Sequence, residues 1–174
     1  VVHADITSEE SIKNAFTQGW DKSVRNLPVT GFHTASVINA SYQTEIFMDK
    51  LTPVNIVGTA NVISASKTIG ADILIYTSSG SVPVRPLQHW LPPWKKHHDL
   101  LVQPLLEPGD ANDVRLPSQY FALYAATKAR AEQMTLKANS STLRPGSIRP
   151  CNGIYWNKYD LCLGAYLIRN EMVT

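Results

Sequence analysis

The chain has 174 residues, 44% hydrophobic and 17% charged, with 16 Lys and Arg against 14 Asp and Glu for a formal net charge of +2. That length and apolar content fit one domain with a real core and exclude a disordered chain, and so balanced a charge nominates neither nucleic acid nor an acidic surface as partner. Two cysteines, Cys151 and Cys162, are too few for a disulfide framework and have no histidines at zinc-finger spacing, and no apolar run reaches the roughly 18 residues of a membrane span. A reducing, cytoplasmic compartment is the expectation, with association to the endoplasmic reticulum membrane as the alternative. The opening Val1-Val2-His3 has no initiator Met and no signal-peptide pattern, so we expect the natural protein to start further upstream.

In chain order, Val1 to Asp5 reads as the tail of a strand. Thr7-Ser8-Glu9-Glu10 reads as a helix N-cap with acids in the first turn, and Ile12, Ala15 and Phe16 fall on one face of that helix. Pro28 leads into Val29 to Ala35, a buried strand ending in small residues. A second helical pattern covers about Thr52 to Ile69, with Val54, Val57, Ala60, Val62, Ile63 and Ala65 at three- and four-residue intervals and Gly70 as its C-cap. Ile73 to Thr77 is the clearest strand, apolar on both faces as a parallel strand between helices is. Residues 78–117 form a long Pro/Trp-rich loop, broken by Pro83, Pro86, Pro92, Pro93, Pro104, Pro108 and Pro117, and loops of such length often carry function. Ser118 is predicted to cap a helix to about Ala138, Thr142 to Arg149 to form a strand, and helix to resume from about Lys158. The alternation of helix and strand predicts an α/β fold with a parallel sheet.

Tyr124-Ala125-Ala126-Thr127-Lys128 lies inside the last long helical pattern. A four-residue separation puts phenol and ammonium on one helix face, with Cβ atoms about 5–6 Å apart. A cation there favours the phenolate, bringing a side chain with an ordinary pKa of about 10 towards proton transfer at neutral pH. The same spacing also describes two amphipathic residues on a helix surface. Thr77-Ser78-Ser79-Gly80 follows the apolar strand, and in open parallel sheets the carboxyl ends of strands form the ligand crevice. Hydroxyls there can hold a substrate oxygen or make an ordinary Ser/Gly turn.

Six segments recur in a meaningful order: Ala4-Asp5-Ile6-Thr7, Val29 to Ser36 (VTGFHTAS), Asn55 to Val62 (NIVGTANV), Ile75-Tyr76-Thr77-Ser78-Ser79, Tyr124 to Lys128, and Ile148 to Tyr155 (IRPCNGIY). With them the sequence resembles the extended short-chain dehydrogenase/reductase superfamily, and within it the 3β-hydroxysteroid dehydrogenase/isomerase family, over nearly the whole chain. Val84-Arg85-Pro86 and Trp90-Leu91-Pro92-Pro93-Trp94 are similar to an insertion in fungal members. The resemblance implies a Rossmann-like parallel sheet with flanking helices and NAD or NADP as cofactor. It makes Ser79, Tyr124 and Lys128 the catalytic set, with Asn55 a fourth member through a water-mediated proton relay. Tyr124 would exchange the proton of a substrate hydroxyl, Ser79 would orient the same oxygen, and Lys128 would tune Tyr124 and bind the nicotinamide ribose. Asp5 and Ile6 match the adenine-binding pair. Thr34, Ala35 and Ser36 match the strand end beneath the cofactor, Asn55 and Thr77 add further cofactor contacts, and Pro150, Asn152 and Ile154 would lie near the nicotinamide.

The implied reaction is hydride transfer at a secondary alcohol or ketone of a sterol-like, hydrophobic small molecule, by an enzyme that forms a homodimer at full length, with no metal and no nucleic acid. The alternatives are a sugar-nucleotide epimerase or dehydratase, which shares the Ser-Tyr-Lys set, and an inactive remnant that binds a partner along an open sheet edge. The chain also departs from the family pattern. No G-x-x-G-x-x-G turn occurs, so the usual pyrophosphate cradle is absent from the sequence. The first residues match the third strand of the family order 3-2-1-4-5-6, and residues 150–174 match only the start of a substrate lobe. We therefore expect residues 1–174 to be a partial NAD(P)-binding domain cut from a longer enzyme. Trp156 replaces a family glycine, and Pro145 threatens a ladder hydrogen bond if its strand is central. His89, His97 and His98 read as a solvated basic loop with Lys95 and Lys96, Trp90 and Trp94 as a substrate mouth, a membrane contact or a loop anchor, and Cys151 as a small buried hydrophobe. Asn39-Ala40-Ser41 and Asn139-Ser140-Ser141 match the glycosylation pattern incidentally.

Overall fold

Asp72 sets the strands in step. Its carboxylate accepts a hydrogen bond from Val29 N at 2.8 Å, and its carbonyl accepts one from Arg144 N at 2.8 Å. The sheet that grows from this point has β1 (Thr30–His33), β2 (Ile73–Thr77) and β3 (Arg144–Ile148), all parallel, in the order β1-β2-β3. The computed structural model describes residues 1–19, 21–24, 27–39, 42, 44–84, 115–120 and 122–150. Among them the helices are α1 (Glu9–Phe16), α2 (Met48–Thr52), α3 (Gly58–Thr68) and α4 (Leu123–Lys137). The expected α/β class with a parallel sheet and flanking helices is borne out.

The predicted helix over Thr52 to Ile69 begins earlier, at Met48, and is interrupted by a π-helical turn at Pro53–Val57. Pro53 has no N–H to give and its ring crowds the carbonyl one turn back, so the ladder widens there: Gly58 N donates to Pro53 O, five residues away. Gly70 ends α3 as predicted, at φ +70°, in the left-handed region that a side chain disfavours.

The covered sheet face carries His33, Leu74 and Tyr76, all buried. Ile12, Val62, Ala65, Ala71, Leu74 and Leu143 form the main core, and Val82, Tyr120, Ala125, Ala126 and Ala129 form a second cluster against α4. On the opposite face Phe32 and Ile148 are 70% and 51% exposed.

Three local expectations are corrected. Val1 to Asp5 forms no strand: it is exposed and has no ladder partner among the described residues. The N-cap expected within Thr7-Ser8-Glu9-Glu10 is Ser8, its Oγ accepting from Ser11 N at 3.2 Å ahead of Glu9 and Glu10 in the first turn, while Thr7 turns back to Asp5. Ser118 sits in a short 3-10 turn at Pro117–Gln119, and α4 starts only at Leu123. Pro145 costs the β2–β3 ladder nothing. Arg144 N donates to Asp72 O and Ile148 O accepts from Ser78 N, so positions 144, 146 and 148 point at β2, and the nitrogen of Pro145 faces the sheet edge, where proline is tolerated.

Ile6 is held onto α3, and Asp5 before it onto α1 through its amide, which donates to Ser11 Oγ at 2.9 Å. Asn61 Nδ2 donates to Ile6 O at 2.9 Å, and a Cβ built on Gly58 would lie 2.9 Å from Ile6 Cγ1. Glycine and asparagine of the NIVGTAN segment are thus the two residues that let the Asp5–Ile6 turn close on the helix. Gly58→Leu should destabilise the fold by about 1–3 kcal/mol, the usual penalty for overpacking, despite the gain in helix propensity; thermal and urea unfolding measure it. No described helix is long and apolar enough to cross a membrane. The loop expected at residues 78–117 lies outside the described residues from 85 to 114, and the expected substrate-lobe start does so from 151 to 174.

Candidate active site

The three strands end at one edge of the sheet, and their following residues are tied together. Ser78 N donates to Ile148 O at 2.7 Å and Gly80 N to Pro150 O at 2.7 Å. These bonds carry the β2–β3 pairing past the strand ends and place Thr77, Ser78, Ser79 and Pro150 side by side. Thr34 and Ala35 continue β1 at the same edge and are exposed.

Helix α4 packs under this edge and brings up Tyr124 and Lys128. Lys128 is 2% exposed, and its Nζ donates to Thr77 O at 2.6 Å. The ammonium stands 4.8 Å from the Tyr76 ring centroid and 5.8 Å from that of Tyr124, so two aromatic faces replace part of its water. Burial lowers its pKa to about 8, which leaves it charged at neutral pH. The predicted sharing of one helix face by Tyr124 and Lys128 is therefore what the structure shows. Ser79 lies two residues beyond the carbonyl that Lys128 holds, and its Oγ pairs with Ser81 Oγ at 2.9 Å. Val82 then packs on Ala125, Ala126 and Ala129, so the segment carrying Ser79 is laid along α4.

Asn55 sits in the π-helical turn, 1% exposed. Its Oδ1 accepts from Ser36 Oγ at 3.0 Å and Val37 N at 2.8 Å; its Nδ2 donates to Val37 O at 3.0 Å and Thr127 Oγ1 at 3.0 Å. Every hydrogen-bonding capacity of the amide is used. It clamps the segment after β1, where Ser36 lies, to α4 beside Tyr124, whose carbonyl accepts from Thr127 Oγ1 at 2.8 Å.

Several participants were not singled out from the sequence. His33, at the end of β1, is 4% exposed, with Nε2 2.8 Å from Thr59 Oγ1 and its ring 5.2 Å from that of Tyr76. Thr59 Oγ1 gives its proton to Asn55 O at 2.7 Å, so the hydrogen between His33 and Thr59 belongs to Nε2, an assignment made from the network. Burial, then the nearby charge of Lys128, lowers the His33 pKa to about 4. In the unfolded chain the ring takes its proton near the ordinary value of about 6.5. Between those values the unfolded state binds more protons, so stability should fall as pH drops from about 6.5 to 4, by up to about 3 kcal/mol. Urea unfolding across that range measures the slope, which His33→Asn should flatten. Buried Glu132 and Ser78, with the partly exposed Arg149, form a further group described below.

Asp5 and Ile6 are not at this edge by any contact of their own. Asp5 Oδ1 accepts from Thr7 N at 2.9 Å and Thr7 Oγ1 at 2.8 Å, which holds its carboxyl below the usual carboxylate range. Ile6 docks one helical turn from Asn55, against Gly58. Asn152, Ile154 and Cys151 lie outside the described residues, as do His89, Trp90, Trp94, His97, His98 and Trp156. Among the described residues no cluster of His, Cys, Asp and Glu is arranged to hold a metal ion.

Residues 1–89 match the model of the 3-beta hydroxysteroid dehydrogenase/isomerase family. A 2-alkyl-3-oxoalkanoate reductase of Stenotrophomonas maltophilia is 35% identical over 96 residues, which are 55% of this chain and 24% of that protein. The decarboxylating sterol-4-alpha-carboxylate 3-dehydrogenase erg26 of Schizosaccharomyces pombe is 27% identical over 145 residues, 83% of this chain and 34% of that protein. The chain thus spans a quarter to a third of the length of these curated relatives. In solved structures, the thiolation-reductase di-domain of an archaeal non-ribosomal peptide synthetase superposes with a TM-score of 0.57 at 18% identity, over 92% of this chain and 30% of its own. That last likeness concerns the fold alone.

Proposed function

The chain belongs to the 3-beta hydroxysteroid dehydrogenase/isomerase family, whose members depend on NAD(P), and we propose that it carries the reacting face of an NAD(P)-dependent oxidoreductase acting on a secondary alcohol or ketone. The observation that carries this reading is Lys128: a buried ammonium anchored to the Thr77 carbonyl at 2.6 Å, 5.8 Å from the Tyr124 ring, under the sheet edge that bears Ser79. A buried charge is costly to keep, and of the two phenols it faces, Tyr76 is 1% exposed while Tyr124 is half-buried and open to a substrate.

The donor set suits the nicotinamide-ribose end of the cofactor: the Lys128 ammonium, the hydroxyls of Tyr124 and Ser79, and the exposed Thr34–Ala35 ledge at the carboxyl end of β1. The glycine-rich turn that serves the pyrophosphate in this superfamily is not in the sequence, so this donor set accounts for the nicotinamide-ribose end and not for the pyrophosphate. When bound, the cofactor supplies or accepts the hydride. In the reducing direction Tyr124 gives its phenolic proton to the substrate oxygen, and Lys128 stabilises the phenolate left behind. Ser79 Oγ donates a hydrogen bond to the same oxygen and fixes the carbonyl for attack. Asn55, its amide already saturated, serves by holding Ser36, Val37 and Thr127 in place. Asp5 and Ile6 on the adenine, and Pro150, Asn152 and Ile154 beside the nicotinamide, complete the reading.

A sterol-like substrate is favoured because the fission-yeast sterol dehydrogenase aligns over 83% of the chain, against 55% for the oxoalkanoate reductase. The test offers a 3-ketosteroid and a 2-alkyl-3-oxoalkanoate with NADH or NADPH, and a nucleotide sugar with NAD⁺ or NADP⁺. Cofactor oxidation with the ketosteroid supports the reading. Oxidation with the oxoalkanoate alone moves the substrate class, and conversion of the nucleotide sugar alone replaces the reading with an epimerase.

A further inference from the structure

Glu132 stands four residues after Lys128 and eight after Tyr124, so the three share one stripe of α4. It is 6% exposed, a carboxylate in a place where carboxylates are expensive to keep. Its partners explain the stripe. Lys128 Nζ holds Thr77 O at 2.6 Å, and Glu132 Oε2 accepts from Ser78 Oγ at 2.7 Å, so successive turns of α4 grip successive residues of the chain leaving β2. Both oxygens of Glu132 also accept from Arg149 Nε at 3.1 Å, on the segment leaving β3. Ser79 is therefore bracketed. Before it, Ser78 is fixed to Glu132 by its side chain and to Ile148 O by its amide; after it, Gly80 N is fixed to Pro150 O, next to Arg149.

We propose that Glu132 is the positioning residue for Ser79: through Ser78 and Arg149 it sets the turn that aims the Ser79 hydroxyl at the oxygen served by Tyr124. The catalytic part of this inference rests on the function proposed above; the positional part does not. A staple needed only to join α4 to β3 could be apolar and more stable, because a buried ion pair is a weak way to add stability. What the carboxylate adds is direction, charge-assisted bonds from one side chain to both segments that flank Ser79, the one leaving β2 and the one leaving β3.

Three variants of the full chain test it: Glu132→Gln, which keeps the volume and removes the charge, Glu132→Ala, and Ser78→Ala, which removes one arm alone. Amide hydrogen exchange followed by NMR should show Ser78 and Gly80 exchanging about tenfold faster, the equivalent of one charge-assisted hydrogen bond, while the amides in the middle of α4 keep wild-type rates. In turnover, kcat should fall about tenfold or more, with the KM for the cofactor within about twofold of wild type. A residue that merely stabilises the fold would lower the melting temperature and leave both readouts of the folded molecules unchanged, which would overturn the proposal. Faster exchange with unchanged kcat would overturn its catalytic part. If wild type turns over none of the carbonyl substrates, the reading of function fails, and the exchange rates still decide whether Glu132 sets the turn. Should Glu132→Ala not fold, Glu132→Gln and Ser78→Ala carry both readouts.

Discussion

Tyr124→Phe is expected to reduce turnover by about 10²–10⁴-fold, the range that general acid–base catalysis supplies, while melting temperature and cofactor affinity stay close to wild type. The substitution removes one oxygen from a half-buried ring at the start of α4. What holds the residue in place survives: the ring still faces the Lys128 ammonium at 5.8 Å, and the bond from Thr127 Oγ1 goes to the Tyr124 backbone carbonyl. The phenolic proton is lost, and the Lys128 ammonium, committed to the Thr77 carbonyl, is poorly placed to replace it. Steady-state rates of NAD(P)H oxidation, measured beside thermal unfolding and cofactor titration, separate the loss of an acid from the loss of a fold. Retained turnover would remove Tyr124 from the reaction.

Asn55→Leu should be the most destabilising single change at the site, by about 3 kcal/mol or more. Leucine fills the volume and makes none of the four bonds, which leaves Val37 N–H, Val37 C=O and the Ser36 hydroxyl to find other partners and Thr127 Oγ1 without the bond it accepts. Each buried polar group left unpaired costs about 1–3 kcal/mol. The companion Asn55→Asp keeps the two acceptor bonds to Ser36 and Val37 N, loses both donations, and sets a carboxylate against the Val37 carbonyl; it should also destabilise, and more so as pH rises through the carboxylate range. Urea unfolding of the two variants measures this. A stability change under about 1 kcal/mol for Asn55→Leu would mean that the clamp is not what joins the segment after β1 to α4.

The parts of this architecture legible in the sequence are those written in neighbouring residues. Ile73 to Thr77 reads as a strand to the residue because it is a short apolar run bounded by Gly70-Ala71-Asp72 and Ser78-Ser79-Gly80. Tyr124 and Lys128 read as partners because helical geometry alone pairs them. The start of α4 is not legible: Ala122 precedes it in an extended conformation without a side-chain cap, whereas Ser118, which has the cap chemistry, spends itself on a short turn. The π-helical turn is invisible to any 3.6-residue period, since it depends on where Pro53 falls in the register and on a buried Asn55 whose partners come from elsewhere. Distance along the chain hides the rest. His33 meets Thr59 across 26 residues, Ser78 meets Glu132 across 54, and Asn55 meets Thr127 across 72. The one local hint was that Glu132 continues the four-residue spacing of Tyr124 and Lys128, a charged residue on a face already marked for burial. Asp5 carries a second, local role that its spacing to Thr7 could have shown: its Oδ1 binds the Thr7 amide and hydroxyl at the entrance to α1.

The most direct test of a reducing site at this sheet edge is to follow deuterium. The folded chain is incubated with NADH and NADPH labelled at the reactive C4 position and with a 3-ketosteroid, and the product alcohol is analysed by mass spectrometry. One deuterium on the carbinol carbon, absent when Tyr124→Phe replaces wild type, is the result this account predicts. A folded, cofactor-bound protein that hands no deuterium to the ketosteroid, or that hands it over equally well without the Tyr124 hydroxyl, would contradict it.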